Sequence, residues 1–373
     1  MTTHALVVGA GPAGTGAAVR LAGWCDSVTM VEARPRNGQG RDGRGHAGEH
    51  LPPAAMTAFA RLGFANLLSE SCHEPSPGVR SAWGDGFIID KEYFLTAPAV
   101  GLNLRRERFD EGLARCAEAA GVSLRFGTRV RHLRRERDEY VATLRGPDGD
   151  QTLRADLVVD ASGRRAVAAR HLGATRRRSD QLVAIVGRVE GCAPNDDTGR
   201  VHIESVEAGW WYGVQFADGM LLASFMTDAS GVQCHAGRAR GLWSEQLRAS
   251  RLLAPLANGG QWSERVEVFD AAAQLLEHDA PAGVLAVGDA AAAYDPLSSW
   301  GITKGFCDGF AGADALARER AGDGHALAEH RNTQRREFEN HRARQSDFYS
   351  AEARWPASPF WLSRQSAWQQ RHA

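Results

Sequence analysis

The sequence predicts an α/β fold: a Rossmann-like nucleotide-binding domain interleaved with an antiparallel β-sheet domain, and helices closing the C-terminus. Three observations carry this prediction. An apolar run at the N-terminus enters a glycine-rich loop and then a helix of small residues. Two further apolar strands, at residues 157–160 and 283–287, each lead to an acidic residue at a turn. Between them lies a block of short runs rich in β-branched and aromatic residues.

The first element is Ala5–Val8, short and fully apolar, as a buried parallel strand should be. Gly9, Gly11, Pro12, Ala13 and Gly14 follow, and Thr15–Ala22 reads as a helix. The second strand, Ser27–Val31, ends at Glu32, eighteen positions beyond Gly14. Strand, glycine loop, helix, strand and acid in this order form a dinucleotide-binding pattern. Gly9 allows the tight turn, Gly11 lets backbone approach a pyrophosphate, and Gly14 lets helix and strand pack closely. The helix N-terminus offers N–H groups to phosphate, and Glu32 is expected to accept from ribose hydroxyls. This loop alone does not separate FAD from NAD.

Composition excludes several classes. Lys and Arg number 44 against 45 Asp and Glu, which argues against nucleic-acid binding. Lys91 and Lys304 are the only lysines. The six cysteines (Cys25, Cys72, Cys116, Cys192, Cys234, Cys307) form no CxxC pair, so no zinc site or disulfide framework is expected. The N-terminus lacks a signal-peptide pattern, and no run of about eighteen apolar residues occurs. The expectation is a cytoplasmic protein with no metal, no membrane span and no nucleic-acid partner.

Leu157–Asp160 is a strand running through Ala161 and Ser162 to Gly163 and Arg164. Gly283–Val287 is another, leading to Gly288 and Asp289, then to the turn Asp295–Gly301 and a helix from Ile302. A carboxylate at a strand's carboxyl end lies where open α/β sheets bind ligands. With these segments the sequence resembles the p-hydroxybenzoate-hydroxylase-like FAD monooxygenases, in residues Gly9, Gly11, Gly14, Glu32, Asp160–Gly163, Gly288, Asp289, Pro296 and Gly301. The resemblance implies a GR2-type FAD domain holding one non-covalent FAD through three separated segments. It adds Arg106, Val130 and Ile302 as cofactor contacts, although Arg105 stands where that pattern more often has aspartate. No second GxGxxG is present, so NAD(P)H or a reductase is expected to act only transiently as electron source.

The FAD domain is expected to be discontinuous, over residues 1–75, 101–175 and 280–325. Arg125–Val130 and Tyr140–Leu144 are candidate strands of a small accessory sheet with a turn at Gly146–Gly149. Residues 76–100 and 176–279 make the substrate-binding domain, with strands Leu182–Val189, Val201–Ser205, Trp210–Phe216 and Leu221–Thr227. Residues 326–373 are the helical C-terminus. The basic run Arg176–Arg178 reads as a solvated face, with a docking patch for an acidic partner as the other reading.

Gly209–Gln215 is similar to the tryptophan-halogenase signature GWxWxIP but departs from it at Tyr212 and Gln215. Halogenases of that kind also need a catalytic lysine beyond the first FAD segment, and only Lys91 is a candidate by position. Gly48–Pro53, Asp180–Val183, Phe225–Asp228, Asp295–Ile302 and Tyr349–Trp361 resemble one halogenase-like subgroup. It includes the flavoproteins that mature cysteine tryptophylquinone-containing amine or amino-acid oxidoreductases. That resemblance implies hydroxylation of a tryptophan side chain in a partner polypeptide, a quinoprotein precursor, through O2, reduced FAD and a flavin hydroperoxide. The candidate catalytic residues are His46, Tyr212, Ser299 and Trp300, and the candidate substrate-stacking residues are Trp210 and Trp211. For the aromatics core packing is the other reading, and for His46 a solvent-exposed loop position. Rival functions are a hydroxylase or halogenase of a free small aromatic, and a flavin-bearing assembly partner.

Overall fold

The computed structural model describes residues 2–36, 50–68, 73–95, 100–234, 239–277 and 281–372. Five short strands form one parallel sheet in the order Val284–Ala286, Leu157–Asp160, His4–Val8, Ser27–Val31, Ser123–Arg125. The inner strands are covered on both faces, which is why they read as unbroken apolar runs. Val8 pairs with Asp160 and with Val31, and Asp160 pairs with Ala286. The carboxyl ends therefore line up along one edge, where helix Pro12–Ala22 begins.

Helix Gly301–Arg320 packs on helix Pro12–Ala22 almost backbone to backbone. A Cβ on Gly309 would sit 2.0 Å from the Ala13 carbonyl oxygen, and one on Gly16 2.5 Å from that of Phe306. The run of small residues after the glycine loop thus serves this crossing as well as the turn. Ile302's helix start is brought directly beside the N-terminal loop.

The second sheet has the central order Leu182–Glu190, Leu221–Asp228, Gly209–Gln215, Val201–Val206, all antiparallel. Gly78–Ala82 and Ile88–Glu92 extend it from the other part of the chain. One face packs on helix Ala239–Ala249 through Ile185, Trp211, Phe225 and Trp243. The other carries Ala184, Trp210, Tyr212 and Met226 against Tyr349, Phe360 and Trp361 of the C-terminal helices Ala326–Ser350 and Pro359–His372.

One expected strand divides. Ser123–Arg125 is the outer strand of the parallel sheet, whereas Arg129–Glu136 begins a hairpin with Glu139–Gly146 and Gly149–Ala155. Gly127, at φ +65°, makes the break, and its N–H donates to the Arg34 carbonyl. The turn at Gly146–Gly149 lies where the sequence puts it.

The C-terminal segment is held to the second sheet by a buried carboxylate. Glu352 accepts from Gly84 N (3.0 Å), Ser205 Oγ (2.7 Å) and the Arg354 guanidinium (2.7 Å). Arg354 also covers the Trp355 ring at 4.2 Å, so this pair packs the chain end against the sheet. Among the described residues no helix is long and apolar enough to cross a membrane, and no three His, Cys, Asp or Glu side chains gather to hold a metal.

Candidate active site

The glycines of the first loop divide their work. Gly9 has φ +106°, and a Cβ there would lie 2.4 Å from the Ala161 carbonyl oxygen. A Cβ on Gly14 would meet the Gly9 carbonyl oxygen at 1.8 Å. Both positions are closed by backbone. Gly11 differs: nothing lies within 4 Å of a Cβ built there. Helix Pro12–Ala22 starts at that open face with Pro12 in its first turn and no side-chain cap. Its leading N–H groups and partial positive charge therefore face a space an anion can enter. Ala13 is buried beneath Gly288. Glu32 is buried at the next strand end, accepting from Ala10 N (3.0 Å) and Arg34 N (2.9 Å) while pairing with Arg34 (3.1 Å).

Asp160 is inward-facing. Its oxygens accept from Ser162 N (3.0 Å), Ser162 Oγ (2.6 Å) and Ala169 N (2.8 Å), and burial pushes its pKa up. It shapes the turn that presents Gly163, at φ +67° with open space at its Cβ position. Val130 is buried in the core between the hairpin sheet and Val8 and Val31. Arg106 opens helix Arg106–Ala119, pairs with Asp110 at 3.1 Å, and keeps a buried Nε without a partner. Arg105 takes a different part: it pairs with Glu74 (2.6 Å) and Asp218 (2.8 Å) and lies over Phe216 at 4.3 Å. The arginine that departs from the family pattern thus ties this helix to the second lobe.

The Gly288–Asp289 segment rests on a charged network that sequence reasoning missed. Gly288 has φ +61°; its N–H donates to Asp308 Oδ2 (2.6 Å) and its carbonyl accepts from Lys304 Nζ (2.9 Å). Lys304 also reaches the Ala292 carbonyl (2.6 Å) and lies over the Tyr294 ring at 4.8 Å. Asp308 is held further by His330 (3.1 Å) and Gln334 (3.0 Å). Burial pushes the Asp308 carboxyl up, but the His330 hydrogen bond and the Lys304 charge outweigh it, leaving it below the usual range. The available signal was a chain with two lysines, one of them four residues before an aspartate on the helix after Gly288 and Asp289. The Asp289 side chain is half-exposed and 3.6 Å from Arg164.

The turn after it is anchored at Asp295, which accepts from Leu297 N (2.7 Å), Gln345 Nε2 (2.7 Å) and the Tyr349 hydroxyl (2.8 Å). Pro296–Ser298 forms a short 3-10 turn, and Ser299 follows at φ +50°, a left-handed backbone unusual for serine. Ser299 and Trp300 are half-buried, and Gly301 is exposed with nothing near its Cβ position. The helix beginning there also lacks a side-chain cap. A second open helix N-terminus is thus set beside the first.

Period-2 alternation separates the candidate aromatics. Trp210 and Tyr212 lie on the sheet face that includes Leu297 of the turn, and Trp210 Nε1 donates to the Tyr349 hydroxyl (2.8 Å). Trp211 points to the opposite face, buried against Phe225 and Trp243. Trp210 and Trp211 therefore cannot line one pocket, and Trp211 is a core residue. Gln215 faces away too, bonded to the Ala193 carbonyl (2.8 Å) and Asn195 (2.7 Å). His46 lies outside the described residues.

Two histidines elsewhere, His50 buried and His341 half-buried, carry a pH signature. His50 bonds the Tyr93 hydroxyl (2.8 Å), and His341 stacks on Tyr294 at 4.3 Å. Burial lowers both to about 4 from the ordinary 6.5; the Arg342, Lys304 and Arg344 charges add to this at His341. Between pH 6.5 and 4 the unfolded chain binds protons that the folded chain refuses, so this part of the stability is present above 6.5 and lost toward 4. Tm is expected to fall across that window, and His341→Phe, which keeps the stack, should flatten the fall. An unchanged slope in a pH series of melting curves would contradict this.

The donor set fits FAD. Two uncapped helix N-termini, open space at Gly11 and Gly301, and the unpartnered Arg106 Nε match a diphosphate and a polar ring edge. Residues 2–346 match the FAD binding domain family. LodB of Marinomonas mediterranea, named as an FAD-dependent oxidoreductase, is 26% identical over 378 residues, spanning 99% of this chain and 98% of its own. Among solved structures, the peptidyl tryptophan dihydroxylase QhpG, described as essential for tryptophylquinone cofactor biogenesis, aligns with 26% identity and TM-score 0.78. That alignment covers 98% of this chain and 79% of QhpG. The flavin-dependent halogenase CmlS shares the fold at TM-score 0.85 and 24% identity, over 100% of this chain and 70% of its own. The chain belongs to the FAD binding domain family and is an FAD-dependent oxidoreductase.

Proposed function

We propose that this protein is a monooxygenase that hydroxylates the tryptophan side chain of a partner polypeptide on the way to a tryptophylquinone. The likeness to QhpG over nearly the whole chain supports the polypeptide substrate. The observation that carries hydroxylation over halogenation is the placement of the two lysines. Lys304 is buried and committed to two carbonyls, and Lys91 is exposed on Ile88–Glu92, the outermost strand of the second sheet. Neither is placed to carry a halogen to a substrate beside the turn at 295–301.

On this reading Gly11, Glu32, Arg106 and the first helix N-terminus hold the adenosine diphosphate part of FAD. Asp289 serves the ribityl chain, and the Gly301 N-terminus offers N–H groups to anionic ring-edge atoms. Bound FAD, reduced by NAD(P)H or a reductase, supplies the activation of O2. Tyr212 and Leu297 are assigned to one side and Ser299 and Trp300 to the other, holding an indole in place and excluding water, while Trp210, fully buried against Tyr349, packs the core. His46 is assigned to accept the proton that leaves the ring.

The test offers the FAD-loaded enzyme, with NADH and flavin reductase, a tryptophan-bearing precursor peptide and, separately, free tryptophan. The peptide is expected to gain one or two oxygen masses and free tryptophan none. Turnover of free aromatics with an untouched peptide would support a small-molecule enzyme instead. Chlorine incorporation would overturn hydroxylation.

A further inference from the structure

A polar cavity of about 220 Å³ lies between the C-terminal helices and one end of the second sheet. Every lining side chain is polar or charged, including Asp180, Asp228, Arg342, Ser346, Tyr349 and Arg364. Three of the segments that mark the subgroup resemblance meet here: Asp180–Val183, Phe225–Asp228 and Tyr349–Trp361. A fourth of the five, Asp295–Ile302, is one hydrogen bond away, since Tyr349 and Gln345 both donate to Asp295. None of these lining groups has a part in the oxidation described above.

The charges define what the cavity takes. Two aspartates and two arginines balance, so a lone anion or cation would leave a buried charge uncompensated. Asp228 and Arg364 form a closed pair with contacts of 2.8 and 3.1 Å. Asp180 and Arg342 form a looser one, a single contact of 3.4 Å, while Arg342 also donates to Gln345 and Asp180 accepts from Leu182 N (3.1 Å). The Ser346 hydroxyl, more than nine-tenths buried, has no partner. A ligand bearing both charges can enter between Asp180 and Arg342 and satisfy Ser346.

We propose that this cavity binds a small zwitterion of the α-amino-acid type, with its ammonium toward Asp180 and its carboxylate toward Arg342. The bound ligand is read at the cofactor turn through Tyr349 and Gln345. Burial holds the Asp180 carboxyl above its ordinary pKa, outweighing the Leu182 N–H bond and the Arg364 and Arg342 charges that pull it down. The inference needs only the cavity and bound FAD, and stands whichever aromatic the enzyme oxidises.

The experiment is calorimetric titration of the FAD-loaded full chain with L-alanine and with ethylamine and propionate, each carrying one of its two charges. L-alanine is expected to bind saturably, about tenfold or more tighter than either comparison. Asp180→Asn and Arg342→Gln should each weaken it about tenfold while the protein stays yellow and keeps its circular dichroism. L-alanine should shift the visible flavin band, and Tyr349→Phe should bind it without that shift. Propionate binding as well as alanine, unchanged affinity in Asp180→Asn, or no saturable binding would overturn the site. A shift that persists in Tyr349→Phe would overturn the coupling.

Discussion

Gly11→Val protein is expected to purify folded and colourless. No atom lies within 4 Å of the Gly11 Cβ position, so the isopropyl group costs the fold almost nothing. It does fill the space before the first turn of helix Pro12–Ala22, where a diphosphate would take the leading N–H groups. Losing two charge-assisted hydrogen bonds amounts to about 4 kcal/mol, roughly a thousandfold in FAD affinity. Gly14→Ala is the contrast. Its Cβ would lie 1.8 Å from a backbone oxygen that cannot move aside, so that variant should be insoluble or strongly destabilised. Flavin absorbance against protein absorbance, with a melting curve, separates the two; a yellow Gly11→Val would refute the placement of the diphosphate.

Lys304→Met should cost both stability and cofactor. The ammonium group anchors the carbonyls of Gly288 and Ala292 and opposes Asp308 at 4.0 Å. Methionine matches its length but takes a donor away from the Ala292 carbonyl and from the Gly288 carbonyl, which keeps only the Ala291 N–H, and leaves Asp308 without its lysine. Removing one partner of a buried pair costs about 3–5 kcal/mol; the low end applies because Gln334 and His330 still hold Asp308. Gly288 would then lose one of the three bonds that fix its left-handed backbone, and Asp289 would lose its aim. FAD affinity should fall about tenfold or more. Asp308→Asn, which keeps an acceptor for the Gly288 N–H, should lose less. Equal flavin content in Lys304→Met and the wild type would show that the clamp plays no part in binding.

The parallel sheet was legible because buried strands read as unbroken apolar runs, and Glu32, Asp160 and Asp289 mark the strand ends. The antiparallel strands were legible to within one or two residues. What failed was direction. Trp210 and Trp211 looked like one aromatic cluster in sequence, but a strand sends neighbours to opposite faces, and only Trp210 reaches the side shared with Tyr212 and Leu297. Arg125–Val130 failed because Gly127 turns the chain between two sheets. The Lys304–Asp308–His330–Gln334 network was hidden for another reason. Its members come from two helices, and nothing local in either announces their meeting across Gly288. Asp160 was legible as important, yet its oxygens serve its own turn.

The most direct measurement is the intact mass of a tryptophan-bearing precursor peptide after turnover under ¹⁸O2 in chloride-containing buffer. Hydroxylation of a polypeptide tryptophan predicts label from O2 on that side chain, dependent on reduced FAD and lost in Gly11→Val. Oxygen drawn from water, chlorine in place of oxygen, or an unmodified peptide alongside an oxidised small aromatic would contradict it.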